Sequence, residues 1–268
     1  MSEQRAAGGG AARSFAADVF GPGFELVDHR EPGDWIPLSA MSSPPVLRER
    51  VENTRLAIGG VGTSPRQIRA VASTMALGLF SRLISPVLGA AVLDAATLVP
   101  DPQTTWLRRV ERGLIPLATT RAPVDADPAA ALDGLVLPLV AVIAQVFGLS
   151  RKVLIGDVAA AVAGACGVIA AARPDLSGRA AKLRADLLTT PDLVGSGTPR
   201  GPFVRSSCCL IWQLPMNYIC SNCVLVDART RMVRERDDDR AGSPGFRRRF
   251  RDQLEEAEST HTWRGSRP

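Results

Sequence analysis

The chain has 268 residues, 46% of them hydrophobic and 22% charged, with a mean hydropathy of +0.06. This composition excludes wholesale disorder and a polytopic membrane protein, and it leaves room for one to two domains with a sizeable core. Thirty-two basic against 27 acidic residues give a net charge of +5 and a pI near 9.3. That modest balance favours anionic ligands in general but lacks the dense basic stripe of a dedicated nucleic-acid binder. Apart from Lys152 and Lys182 the basic set is arginine.

In chain order, residues 1–20 are small and Gly/Ala-rich, lack the unbroken apolar run of a secretory signal, and are expected to form a flexible leader. A Ser or Asp followed by Pro then recurs at Ser43-Pro44, Ser64-Pro65, Ser85-Pro86 and Asp127-Pro128, and each pair predicts a helix start. The side chain at the cap accepts an unpaired backbone N–H, while proline has no N–H to leave unbonded and a φ that is already helical. Ser150 and Ser177 are further cap candidates, and Pro174 and Pro191 mark where the helices they open should stop.

A β-hairpin is predicted over residues 104–120, around the Arg112-Gly113 turn signal. Residues 24–27, 203–214 and 223–226 are short strand candidates. The apolar stretches 135–149, interrupted by Pro138 and Gln145, and 158–172, mostly alanine, fall short of a membrane span and predict buried helices, with no stable membrane insertion. The expected fold class is therefore α+β: a helix-rich domain with a small antiparallel sheet and a C-terminal cysteine segment. The expected organisation is the leader, one domain over 21–226 with a helical middle at 64–192 and a cysteine motif at 205–226, and a charged, disordered tail over 227–268.

Four of the five cysteines, Cys208, Cys209, Cys220 and Cys223, lie within sixteen residues, in the pattern CC-x10-CxxC. Such crowding in a chain this long points to metal chemistry in a reducing compartment rather than to disulfides, and predicts a cytoplasmic location. A CxxC turn puts two sulfurs on one side, and the ten-residue excursion through Pro215 and Asn217 is long enough to reverse direction and return. Neighbouring residues of a strand face opposite ways, so Cys208 and Cys209 can both ligate only where the backbone bends. Structural zinc sites usually space their cysteines two to four apart, whereas a 2Fe–2S cluster takes four thiolates, two per iron. Thiolates suit both metals, and both remain open on the residues alone. Cys166, in an Ala-rich helix, is left over as a packing residue.

The segment Arg205-Ser206-Ser207-Cys208-Cys209, followed by Cys220-Ser221-Asn222-Cys223-Val224-Leu225, resembles the terminal motif of the FhuF-like ferric siderophore reductases. The likeness extends upstream to residues 72–88 and to Trp106-Leu107-Arg108-Arg109, covering roughly 60 to 226. Residues 216–219 stand where that family has a glycine-rich turn, and Asn217 can supply the left-handed conformation. The resemblance implies a cytoplasmic enzyme, an oxidoreductase acting on metal ions, that reduces siderophore-bound ferric iron through a 2Fe–2S cofactor on Cys208, Cys209, Cys220 and Cys223. The substrate expected is a hydroxamate-type ferric siderophore.

No nicotinamide, flavin or phosphate-loop fingerprint is present, since Gly59-Gly60-Val61-Gly62 lacks the required spacing, so a separate donor such as a ferredoxin or flavoprotein is implied. His29 and His261 have no ligand spacing to anything. Trp106, Arg108, Arg109 and Arg205 are the candidate substrate contacts, with strand alternation placing Arg108 beside Trp106. Arg200, Arg205, Arg229 and Arg231 are candidates to offset the charge of a reduced cluster. The alternative is a zinc- or cluster-bearing sensor or interaction protein using the Arg-rich tail, with Phe246-Arg-Arg-Arg-Phe-Arg251 on nucleic acid or a protein partner. The neighbouring acidic blocks and the missing helix-turn-helix pattern speak against nucleic acid.

Overall fold

Proline-led starts organise the helices. In the computed structural model, which describes residues 15–28, 33–60, 62–93, 101–108, 110, 113–119, 127–214 and 219–226, helices α2 (Pro44–Ala57), α3 (Pro65–Val92) and α4 (Pro128–Leu135) open as expected. Ser64 Oγ accepts from Gln67 N–H and Asp127 Oδ1 from Ala129 N–H, caps of a kind that contribute about 0.5–2 kcal/mol. Ser43 holds the cap position of α2 without a side-chain bond. Helix α5 (Leu137–Phe147) ends on Gly148 in the left-handed region, and α6 (Arg151–Ala172) is capped by Ser150.

Two helix starts are corrected. Ser85-Pro86 lies inside α3, where the Ser85 hydroxyl donates to Ser81 O one turn back and the flanking residues are buried, so packing carries the helix through the proline. Ser177 is the first residue of α7 (Ser177–Leu187) and makes no cap bond there, because a 3-10 turn at Pro174–Leu176 leads straight into the helix. Both stops are seen: α6 ends before Pro174 and α7 before Pro191.

The fold is α+β and helix-rich. Strands β3 (Thr105–Arg108) and β4 (Leu117–Thr119) form the expected hairpin, with Trp106 opposite Ala118. Strand β2 (Trp35–Pro37), unforeseen in the sequence, pairs antiparallel with β3, Ile36 opposite Leu107. Val27–Asp28 (β1) pairs parallel with β4, giving the order β1-β4-β3-β2. Of the stretch 24–27 only Val27 is strand, since Phe24 closes a 3-10 turn that buries its ring.

The core lies along α3 and α6, which pack on each other over much of their length, with α7 against α6. The sheet is tied to α3 by one buried guanidinium. Arg82 donates to the carbonyls of Ile115, Pro22, Gly23 and Glu25, and burial pulls its pKa down to about 10. The start of the chain joins this core too: α1 (Phe15–Phe20) buries Ala16 and Phe20, correcting the leader expectation for those six residues.

Three helical stretches, Pro65–Val92, Pro128–Phe147 and Arg151–Ala172, are long and apolar enough to cross a membrane, with mean hydropathies of 1.6, 2.1 and 2.1. This corrects the expectation that the apolar runs are too short, because the helices extend upstream of the runs first counted. In α3 and α6 the apolar windows are 78% and 72% buried within the fold, against 39% over α4–α5. The leader residues 1–14, His29, Arg109, Arg112, residues 215–218 and the tail 227–268, with Arg229, Arg231, Phe246 and His261, lie outside the described residues.

Gly89 is where α3 admits the N-terminal segment: a Cβ there would lie 2.7 Å from the Phe24 ring and 2.9 Å from Ala16 Cβ. Gly89→Ala is expected to cost about 1–3 kcal/mol through overpacking, read as a lower urea midpoint at unchanged slope. A wild-type midpoint would show that Phe24 and α1 do not dock there.

Candidate metal centre

The cysteine segment is irregular backbone, not the pair of strands expected over 203–214 and 223–226. Arg205 makes an isolated bridge to Gly197, Ile211–Gln213 is a 3-10 turn, and residues 224–225 are a turn. Side chains and single backbone bonds hold it in place. Arg205 N–H donates to Asn222 O (3.2 Å), joining the two halves of the motif, and Ser206 N–H donates to Ser196 O (2.9 Å). Cys223 N–H bonds to Cys220 O (3.1 Å) and closes the CxxC turn.

Directly after the adjacent cysteines stands Leu210, whose φ of 65° makes it the one non-glycine in the left-handed region among the described residues. For an L-residue with a Cβ this conformation costs about 1–2 kcal/mol, and such strain gathers at functional sites. Leu210 N–H meets Cys208 Sγ at 3.3 Å, and Leu225 N–H meets Cys223 Sγ at 3.4 Å in the same two-residue relation. Donors placed this way stabilise negative sulfur.

All five cysteines are free. Cys209 Sγ and Cys220 Sγ stand 3.4 Å apart, close to the separation of about 3.8 Å between two thiolates on one tetrahedral ion at about 2.3 Å each. The bond to Cys220 pulls the Cys209 thiol down, with the Ile211 N–H and Arg205 assisting against burial, while the same bond pushes Cys220 up. Burial raises the Cys208 thiol, opposed by the Leu210 N–H and the Trp212 indole. Cys208 and Cys220 are half-buried, Cys209 and Cys223 buried, so the centre lies just under the surface.

Among the described residues no group of three or more His, Cys, Asp or Glu side chains is arranged to hold one metal ion. A tetrathiolate zinc site needs all four sulfurs on a single ion, whereas a 2Fe–2S centre divides them two and two. One close pair, with the other two cysteines each receiving a backbone N–H, is a donor set that either group can use. Cys166 stands apart in α6, 4% exposed, and burial pushes its thiol up to about 12.

Beneath the motif is a buried ion pair. Arg205 and Asp157 of α6 are 2% and 0% exposed, with Nη2 to Oδ1 at 2.6 Å. Asp157 Oδ2 also accepts from Ser73 of α3 at 2.8 Å. The guanidinium donates further to Ser207 O and Val153 O, and Ser207 Oγ donates to Lys152 O. Burial pushes Asp157 up to about 7 against the pull of Arg205 and Ser73. Burial alone would lower Arg205, but Asp157, Cys209 and Cys220 leave it raised. Gly156 makes this seat possible, since a Cβ there would collide with Ser207 Oγ and crowd Arg205.

The expected substrate contacts are not brought together. Arg205 is buried, with Nε and Nη2 bonded to Ser207, Val153 and Asp157, and its proximity to Cys209 and Cys220 suits the charge-offsetting role. Arg200 is exposed. Trp106 and Arg108 share a face of β3, but the Arg108 guanidinium lies 5.6 Å from the Trp35 ring centroid. The hairpin hangs from Arg82, about 24 Å along α3 from Arg66 at 1.5 Å per residue, and Arg66 is where the cysteine segment touches that helix, over Trp212 at 5.0 Å. Sequence reasoning missed Asp157, Ser73 and Trp212. An aspartate in the middle of an Ala-rich apolar helix was the available signal, because a buried carboxylate requires a partner.

Removing one member of a buried pair strands the other charge. Asp157→Leu and Arg205→Met are each expected to cost about 3–5 kcal/mol, while the Asp157→Leu/Arg205→Met double variant regains most of it. Urea unfolding of the three variants measures this, and additive losses would show that the two side chains do not interact. The chain matches no family model, and no curated protein matches it.

Proposed function

We propose that the chain is a ferric-siderophore reductase, an oxidoreductase that delivers one electron to ferric iron held by a siderophore and so releases ferrous iron. The observation that carries this reading is the arrangement of the four motif cysteines: all free, Cys209 and Cys220 at 3.4 Å, Cys208 and Cys223 each receiving a backbone N–H. The motif's resemblance to the FhuF-like reductases supports the same assignment. When bound, a 2Fe–2S cluster supplies a single electron at a time.

The residues of the chain provide the setting. Leu210 and Leu225 direct N–H groups at sulfur, and Arg205 brings a buried positive charge to Cys209 and Cys220, all of which favour the more negative, reduced state. Half-buried Cys208 and Cys220 leave a short path from the centre to a bulky chelate that never enters the protein. Ferric iron prefers hard anionic oxygen donors, and reduction to the softer ferrous ion loosens the chelate. A hydroxamate-type siderophore meets that description. No general acid or base is needed, which accords with a motif that contains no His, Asp or Glu. Free thiols belong in a reducing compartment, and we place the protein in the cytoplasm on that ground.

Anaerobically purified protein is expected to carry about two iron and two sulfide per chain and, after dithionite reduction, a spin-half paramagnetic resonance signal. Cys208→Ser and Cys220→Ser remove the signal, while Cys166→Ser keeps it. Reduced protein mixed with a ferric hydroxamate siderophore yields ferrous iron, captured by a ferrous-specific chelator. Zinc-loaded, resonance-silent protein would overturn the reading.

A further inference from the structure

Of the seven large hydrophobic side chains left exposed among the described residues, four belong to the cysteine segment, and Leu56, Val168 and Val194 lie elsewhere. Trp212 follows Cys209 by three positions, Val224 and Leu225 follow Cys223 directly, and Ile219 precedes Cys220; all four are exposed, Leu225 to 63%. Single exposed apolar residues are ordinary, but apolar surface gathered around one centre marks an interaction site. Trp212 connects this surface to the centre, since its indole acts on the Cys208 sulfur while Arg66 lies over its ring.

Among the described residues, the segments that carry this surface are basic. Residues 193–226 contain no Asp or Glu, and neither does α3. In α6 the single acidic residue, Asp157, is buried against Arg205. Asp192, on the loop before the segment, is bonded to Arg151 at 3.1 Å. The charged side chains these elements expose are basic, Arg66, Arg69, Arg151, Lys152 and Arg200, and the Lys152 carbonyl accepts from Ser207 next to Cys208.

We infer that the face formed by Arg66, Lys152, Trp212, Val224 and Leu225 docks an acidic, one-electron carrier protein of the ferredoxin class, which recharges the centre. This rests on the reading that the four cysteines hold a one-electron centre. One electron leaves the reduced carrier and enters that centre. The carrier is oxidised by one, the chain is reduced by one, and no bond forms or breaks. A small apolar patch with basic neighbours suits a short-lived encounter, in which charge sets the association rate and a modest buried area lets the partner leave.

The test mixes oxidised full-length protein with an acidic plant-type ferredoxin, held reduced, in an anaerobic stopped-flow at low and high salt. The second-order rate is expected to fall steeply with salt, and Arg66→Glu/Lys152→Glu to lower it at least about tenfold at low salt. Leu225→Ser lowers it at both salt concentrations. The extent of bleaching by dithionite, which needs no docking face, stays unchanged in all variants. A ferredoxin rate indifferent to salt and to charge reversal overturns the inference, as does binding of duplex DNA or anionic vesicles at this face in place of ferredoxin. Failure of dithionite to bleach the protein overturns the cluster reading instead. Calorimetric titration of ferredoxin into the chain then decides the face by itself, salt-sensitive binding lost in the double variant supporting it and absence of binding removing it.

Discussion

The Arg205–Asp157 ion pair is the constraint around which the cysteine segment is built. Taking both charges out of water costs several kcal/mol per ion, and Coulomb attraction offsets that only when the remaining donors and acceptors are also satisfied. Here Ser73 serves the second carboxylate oxygen, and Val153 and Ser207 carbonyls take further guanidinium protons. The result adds little net stability but a great deal of position. A motif with no ladder of its own is pinned to α6 through Arg205 and Ser207, and through Asp157 to α3, so that two long helices and two halves of a loop meet at one carboxylate.

That constraint explains why the loop can tolerate Leu210 in a strained conformation. A left-handed leucine persists only where its neighbours are over-determined, and Cys208 and Cys209 are held from below by Arg205 and Ser207 and from above by the Trp212 contact with Arg66. Gly156 belongs to the same arrangement, because any side chain at that turn of α6 would lift Ser207 and with it the cysteines.

Helix starts were legible in the sequence wherever the signal is local: Ser64, Asp127 and Ser150 cap because the bond they make lies within the first turn. Ser85-Pro86 carries the same local signal and fails, because the contacts that continue α3 through it come from distant segments. Strand β2 is three residues long and exists by pairing with β3, which no local pattern announces. The four cysteines were legible as a set through their spacing, whereas their backbone was not, since it follows from bonds to Asn222, Ser196 and Asp157 rather than from propensity. Nothing local marks Arg205 as half of a buried ion pair, for the same reason: its partner lies 48 residues earlier, on a helix whose composition suggests only packing.

The two sides of the centre have opposite characters, and on the proposed reading both follow from one requirement. Toward the core, Arg205 is paired with Asp157 and Ser207 is bonded to Lys152, so the surroundings of Cys209 have little freedom to reorganise when an electron arrives. Toward solvent, Trp212, Val224 and Leu225 offer apolar contact with no carboxylate among residues 193–226 to repel an acidic visitor. A one-electron centre must keep its own geometry fixed while its partners come and go. A rigid, neutralised floor beneath an apolar, basic rim satisfies both conditions with the same short stretch of chain.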